Sequence, residues 1–82
     1  MDREKEIEKL IRDLKDKDPN VRYNAAWAIG EIAEKGGDCS EAVTYLIEAL
    51  KDKSKLVRRE AAEALEKIGF DNVPMESRVL AL

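Results

Sequence analysis

The sequence predicts an all-α fold, a two-unit helical-hairpin solenoid closed by a short C-terminal helix, and three observations predict it. The first is an internal repeat. Leu10-Ile11-Arg12-Asp13-Leu14-Lys15-Asp16-Lys17 returns as Leu46-Ile47-Glu48-Ala49-Leu50-Lys51-Asp52-Lys53, an offset of 36 positions (46 − 10). Twelve of the twenty-three positions from Leu10 to Ile32 are identical at that offset, more than shared helical composition explains. The second is hydrophobic periodicity, with two helical stripes in each copy. The third is the placement of caps and breakers between the stripes.

The elements follow in order. Ile7, Leu10, Ile11 and Leu14 hold the i, i+3, i+4, i+7 spacing of a first helix near 3–16. Asp18 before Pro19 is an N-cap followed by a proline at the first helical position, and it opens a second helix near 19–34. Its stripe is Val21, Ala25, Ala28, Ile29 and Ile32, and Gly36-Gly37 stops it. Asp38 with Glu41 three residues later fits a capping box for a third helix near 40–52, with stripe Val43, Leu46, Ile47 and Leu50. Ser54 takes the Asp18 position and starts a fourth helix near 55–68, carrying Val57, Ala61, Ala64, Leu65 and Ile68 and ending at Gly69. The alanines at 25, 26 and 28, and again at 61, 62 and 64, keep these second helices thin and allow close packing. The division is a single domain over 1–82, with repeat one at 3–36, repeat two at 39–69 and a C-terminal cap or truncated third repeat at 70–82. In that tail Pro74 is placed to begin a helix, and at the same offset Val79 matches Val43 and Leu82 matches Leu46. The tail is expected to fold back over the open end of the stack, giving a monomer, with a dimer through the C-terminal end as the alternative.

Composition narrows the chemistry. Eighty-two residues allow one small domain, and 15 Lys+Arg against 18 Asp+Glu give a net charge of −3 with the signs interspersed, which argues against a polyanion binder. No histidine is present, which removes imidazole metal sites and Ser-His or Cys-His catalysis. Cys39 is the only cysteine, so no intrachain disulfide can form. Met1 to Glu6 are charged where a signal peptide needs an apolar stretch, and the longest apolar run, Ala25 to Ile29, is too short for a bilayer. A cytoplasmic protein without membrane contact is expected. Few Asn, no Gln and abundant Glu and Lys suit a thermophile.

The string Leu-x-Asp-x-Asp-Pro-x-Val-Arg-x-x-Ala-Ala-x-Ala-Ile-Gly-x-Ile, from Leu14 to Ile32, resembles the HEAT repeat of the bilin-lyase-like type. The copy from Leu50 to Ile68 carries Ser54, Lys55 and Glu66 in place of the Asp, Pro and Gly. Residues 25–33 also resemble the armadillo signature, in which the Trp and an Asn four positions later bind an extended peptide. Glu31 stands at that Asn position and Glu63 at the second Trp. The HEAT resemblance implies a structural ladder between the recurring arginines, Arg22 and Arg58, and the recurring aspartates, Asp16 and Asp52. It also implies that the second helices line a concave, ligand-facing side.

Other candidate sites read as structure. Asp16-Lys17-Asp18-Pro19-Asn20 begins like a calcium loop, but Val21 and Trp27 occupy the positions that need Gly and Glu. Glu60, Glu63 and Glu66 form a solvated ladder among Arg59 and Lys67 rather than a metal site. Cys39 at a helix start lacks a catalytic companion. Tyr23 and Trp27 are the informative pair. At about 100° per residue both lie opposite the apolar stripe of their own helix. The candidate contact residues are therefore Tyr23, Asn24, Trp27, Glu31, Glu34, Arg59, Glu60, Glu63 and Lys67. The expected function is non-catalytic protein–protein interaction, as a module or scaffold, with no cofactor and no metal. The alternatives are an armadillo-like groove for a basic peptide, with Trp27 stacking on Lys or Arg stems, and a non-catalytic accessory subunit of a lyase-type enzyme. The acidic residues of this face argue against nucleic acid.

Overall fold

The computed structural model describes residues 3–69, and the expected C-terminal helix over 70–82 lies outside the described residues. The chain forms helices α1 (Arg3–Asp13) and α2 (Pro19–Glu34), a 3₁₀ turn (Ser40–Ala42), and helices α3 (Val43–Ala49) and α4 (Lys55–Ile68). α1 and α2 make the first hairpin, α3 and α4 the second. The most extensive contact runs between α2 and α4, while α1 lies against α2 and α3 against α4. The result is a helical-hairpin solenoid whose spine is the pair of second helices.

Local chemistry explains the boundaries. Asp18 sits in the extended region and its carboxylate accepts the Asn20 N–H at 2.8 Å, with Pro19 at the first helical position. α2 ends in a Schellman motif: Gly36 N–H donates to the Ala33 carbonyl and Gly37 N–H to the Ile32 carbonyl, and Gly36 takes a φ of 89° that side-chain-bearing residues avoid. Ser54 caps α4 by accepting the Val57 N–H at 3.4 Å.

Two first helices are shorter than the sequence pattern suggests. α1 stops at Asp13 rather than 16 and α3 at Ala49 rather than 52, because Lys15 and Asp16, and then Lys51 and Asp52, donate to the carbonyl three residues back instead of four. The tightened turns leave the Asp16 and Asp52 carbonyls pointing away from the helices, where arginines take them up. The capping box expected at Asp38 and Glu41 is not formed. The Asp38 carboxylate accepts both the N–H of Ser40 at 3.0 Å and its hydroxyl at 2.7 Å, a local turn that starts the chain in 3₁₀ geometry. True α-helix begins only at Val43.

The core is built from the predicted stripes, but the two units bury them unequally. Leu46, Val57 and Ala64 are at most 1% exposed, while their counterparts Leu10, Val21 and Ala28 are only half-buried. Conversely Ala26 is fully buried and its counterpart Ala62 is exposed. Each unit has one face covered by the other unit, and the repeat places these on opposite sides. At the seam Gly30 backs onto Ala64, and a Cβ at position 30 would stand 3.4 Å from the Ala64 Cα. Packing that close is open only to small residues.

Leu46→Ala should therefore cost about 2–5 kcal/mol in urea unfolding, and Leu10→Ala, at the same position of a half-covered site, distinctly less. Equal losses would show that the two units are not packed on one another in this way. Gly30→Leu should destabilise by about 1–3 kcal/mol, because the side chain has nowhere to go without parting α2 from α4.

Candidate interaction surface

An ion-pair network fixes how α2 and α4 stand to one another, and with them the side chains they carry outward. Arg22, on the first turn of α2, donates from Nε to Asp52 Oδ2 at 2.8 Å and from Nη2 to Asp52 Oδ1 at 3.1 Å. Its Nη1 donates to the Asp16 and Lys17 carbonyls at 2.7 and 3.0 Å. The two side chains are only 17% and 12% exposed, so this fork bonds under partial desolvation. Arg58 repeats half of the pattern, its Nη1 donating to the Asp52 and Lys53 carbonyls. Both arginines are thus structural within their own hairpins, and Arg22 also joins the hairpins.

The electrostatics follow from these bonds. The hydrogen bond to Asp52 raises the Arg22 pKa still further above neutrality. Burial by itself would lift Asp52, but the Arg22 hydrogen bond, the Ser54 N–H and the fields of both arginines outweigh it and hold the carboxyl below its ordinary range. Lys67 of α4 reaches back to Glu31 at 3.2 Å and Glu34 at 3.6 Å on α2, and the Glu31 hydrogen bond raises its pKa. Glu60 is pushed up, first by burial and then by the charge of Glu63. The Cys39 thiol is pushed up by burial and by Asp38. It is 2% exposed and donates to the Ile29 carbonyl at 3.5 Å, so it packs within the core, and burial disfavours its thiolate.

The nine expected contact residues separate into three groups. Trp27 is 51% exposed, and Asn24, Arg59 and Glu63 are exposed as well. Glu31, Glu34 and Lys67 form the salt-bridged link between the units, and Glu60 is half-buried beside them. Tyr23 differs from expectation. It is half-buried and packs against the hydrophobic core, because tertiary packing covers a position that is solvent-facing on an isolated helix. Trp27 borders a shallow depression of about 370 Å³ floored by Leu10, Val21 and Ala28 and rimmed by Lys9 and Asp13, themselves paired at 3.0 Å. Among the described residues no group of three metal-ligating side chains converges.

Three features escaped the sequence pattern. Leu56, at the start of α4, is 54% exposed. The Lys15 ammonium lies 4.4 Å from the centroid of the Tyr45 ring, a cation–π contact across the two hairpins. The bidentate engagement of Asp52 by Arg22 also depends on packing: the spacing shows recurrence, not which arginine reaches which aspartate.

Because Asp52 is held below its unfolded value, its share of stability is present above the ordinary carboxylate range and is lost as pH falls through the lowered folded value. The melting temperature should accordingly drop in acid. Asp52→Asn should lower it at pH 7 and flatten its fall below about pH 4. An unchanged acid slope in the variant would place that sensitivity elsewhere.

A family model described as HEAT repeats matches residues 7–81. Comparisons with curated proteins and with solved structures returned no match.

Proposed function

This chain belongs to the HEAT-repeat family, and from that premise we propose that it is a non-catalytic interaction module that binds a partner protein through the outward side of α2 and α4. HEAT repeats generally mediate protein interactions as scaffolds. The observation that carries the finer reading is Trp27. Its indole is half in solvent on a rigid helix, next to an apolar-floored depression, with Asn24 alongside and acidic residues further along the helix. Tryptophans in such settings supply a large, pre-ordered contact area and dominate binding energies at interfaces. The supporting chemistry is an exposed aromatic anchor, rim charges of both signs, and a buried, unactivated thiol.

The partner class with support from a specific observation is a peptide segment bearing Lys or Arg. Glu31 and Glu34 already hold one ammonium, that of Lys67, within 3.6 Å. A basic side chain stacked on Trp27 would compete for the same carboxylates.

Trp27→Ala should leave the melting temperature nearly unchanged while weakening partner binding by about 2 kcal/mol or more, read by calorimetry against a Lys/Arg-rich peptide and by comparative capture from lysate. Peptide affinity should also fall as salt is added. A large loss of thermal stability in Trp27→Ala would make the indole a packing residue. Salt-insensitive peptide binding, or none, would remove the basic-segment reading.

A further inference from the structure

The two ends of the described stack are the two halves of one interface, and we propose that a second copy of this chain docks on it head to tail. The contact already exists once within the chain. There the outgoing face of the first hairpin, with Arg22, Ala26 and Gly30, covers the incoming face of the second, with Leu46, Val57 and Ala64. The 36-residue register carries each face to the opposite end of the described stack. Arg58 and Ala62 occupy the positions of Arg22 and Ala26, and Ala62 is exposed. Leu10, Val21 and Ala28 occupy the positions of Leu46, Val57 and Ala64, and they floor the half-open depression beside Trp27.

The polar groups are left half-satisfied in the same complementary way. Arg58 grips the carbonyls of its own turn through Nη1, as Arg22 does, but its Nε and Nη2 meet no carboxylate among the described residues. Asp16 accepts the Asp18 N–H at 2.9 Å, as Asp52 accepts the Ser54 N–H at 2.9 Å, but no cationic side chain is paired with it among the described residues. A second copy seated as the second hairpin sits on the first would bring its Asp16 to Arg58, reproducing the Arg22–Asp52 fork. It would also bring Glu31 opposite Lys67, since these two residues are the same repeat position and already pair with each other at 3.2 Å. A planar guanidinium and a carboxylate pre-held by its own turn lose little freedom on meeting.

Two positions keep the contact weak. Glu66 stands where Gly30 permits the closest approach, and Lys51, in the Lys15 position, would meet Lys9 instead of the Tyr45 ring. Association is therefore reversible and concentration-dependent, and because the operator is not a two-fold it is open-ended rather than a closed dimer. A docked copy would cover the depression beside Trp27 and so exclude a peptide there, but the end-face pairing stands without Trp27 acting as a partner anchor.

The test is sedimentation of the 82-residue chain up to about 1 mM, with helix content followed by circular dichroism. The weight-average mass should rise with concentration from the 9.3 kDa monomer and fall back in high salt. Arg58→Asp and Asp16→Arg should each weaken association at least tenfold alone. An equimolar mixture of the two variants should restore it, because the carboxylate introduced in one meets the guanidinium introduced in the other. Ala62→Lys, at an exposed site, should abolish association without changing the melt, and it decides the matter if either charge variant does not fold. A single monomeric species throughout, or association indifferent to Ala62→Lys and to the charge exchange, overturns the proposal.

Discussion

The Arg22 guanidinium ties together more of this molecule than any other group. One nitrogen closes the turn between α1 and α2 by bonding the carbonyls of Asp16 and Lys17, and the other two clasp Asp52 across the hairpin boundary. Asp52 in turn accepts the N–H of Ser54, the residue that caps α4. A continuous set of hydrogen bonds thus runs from the end of α1 to the start of α4. Its value lies in register more than in gross energy. Charges taken partly out of water return little net stability against an apolar replacement, but a bidentate fork tolerates only one relative placement of its partners.

That placement is what the small residues of α2 and α4 require. Ala26, Gly30 and Ala64 let the backbones approach until an added Cβ would lie at van der Waals distance. A slip along the axis would set Gly30 against a larger side chain and open the seam. Close approach and the fork therefore support one another, the first supplying dispersion along the length of the helices and the second fixing their offset. Lys67 adds a further tie at the opposite end of α2, reaching Glu31 and Glu34 from α4. This pairing is more exposed than the arginine fork and contributes correspondingly less.

Much of this was legible in the residues. The 36-residue recurrence, the stripes and the Asp18, Ser54 and Gly36 signals identify four helices, and α2 and α4 begin and end where those signals fall. What was not legible has a common cause, which is that tertiary contact decides it. The ends of α1 and α3 tighten into turns whose Asp16 and Asp52 carbonyls are taken up by Arg22 and Arg58, a contact that periodicity does not register. Asp38 prefers the nearby N–H and hydroxyl of Ser40 to a reciprocal arrangement with Glu41. In the candidate surface, Trp27 is solvent-facing as its helical angle implies, while Tyr23, on the same side of the helix, packs against the core. An angle taken on one helix cannot tell those two apart.

The pattern of identity between the hairpins follows the turn and the packed helix sides more closely than the candidate surface. Positions 16, 21, 22, 25, 26 and 28 recur unchanged in the second unit, and they form the turn, the fork and the packed sides of α2 and α4. Positions 23, 27, 30 and 31 change to Arg59, Glu63, Glu66 and Lys67. Of these, 27 and 63 are exposed in both units, so they can vary at no cost to the fold, and a bulky aromatic at just one of them gives the surface a direction along the stack. Ala62 is the instructive exception among the unchanged positions. It retains the small side chain of Ala26 although in this chain it faces outward, and a longer polar residue there would be tolerated by the helix and better suited to water. Alanine favours the helix wherever it falls, and its smallness becomes a packing feature where another helix comes to lie against it.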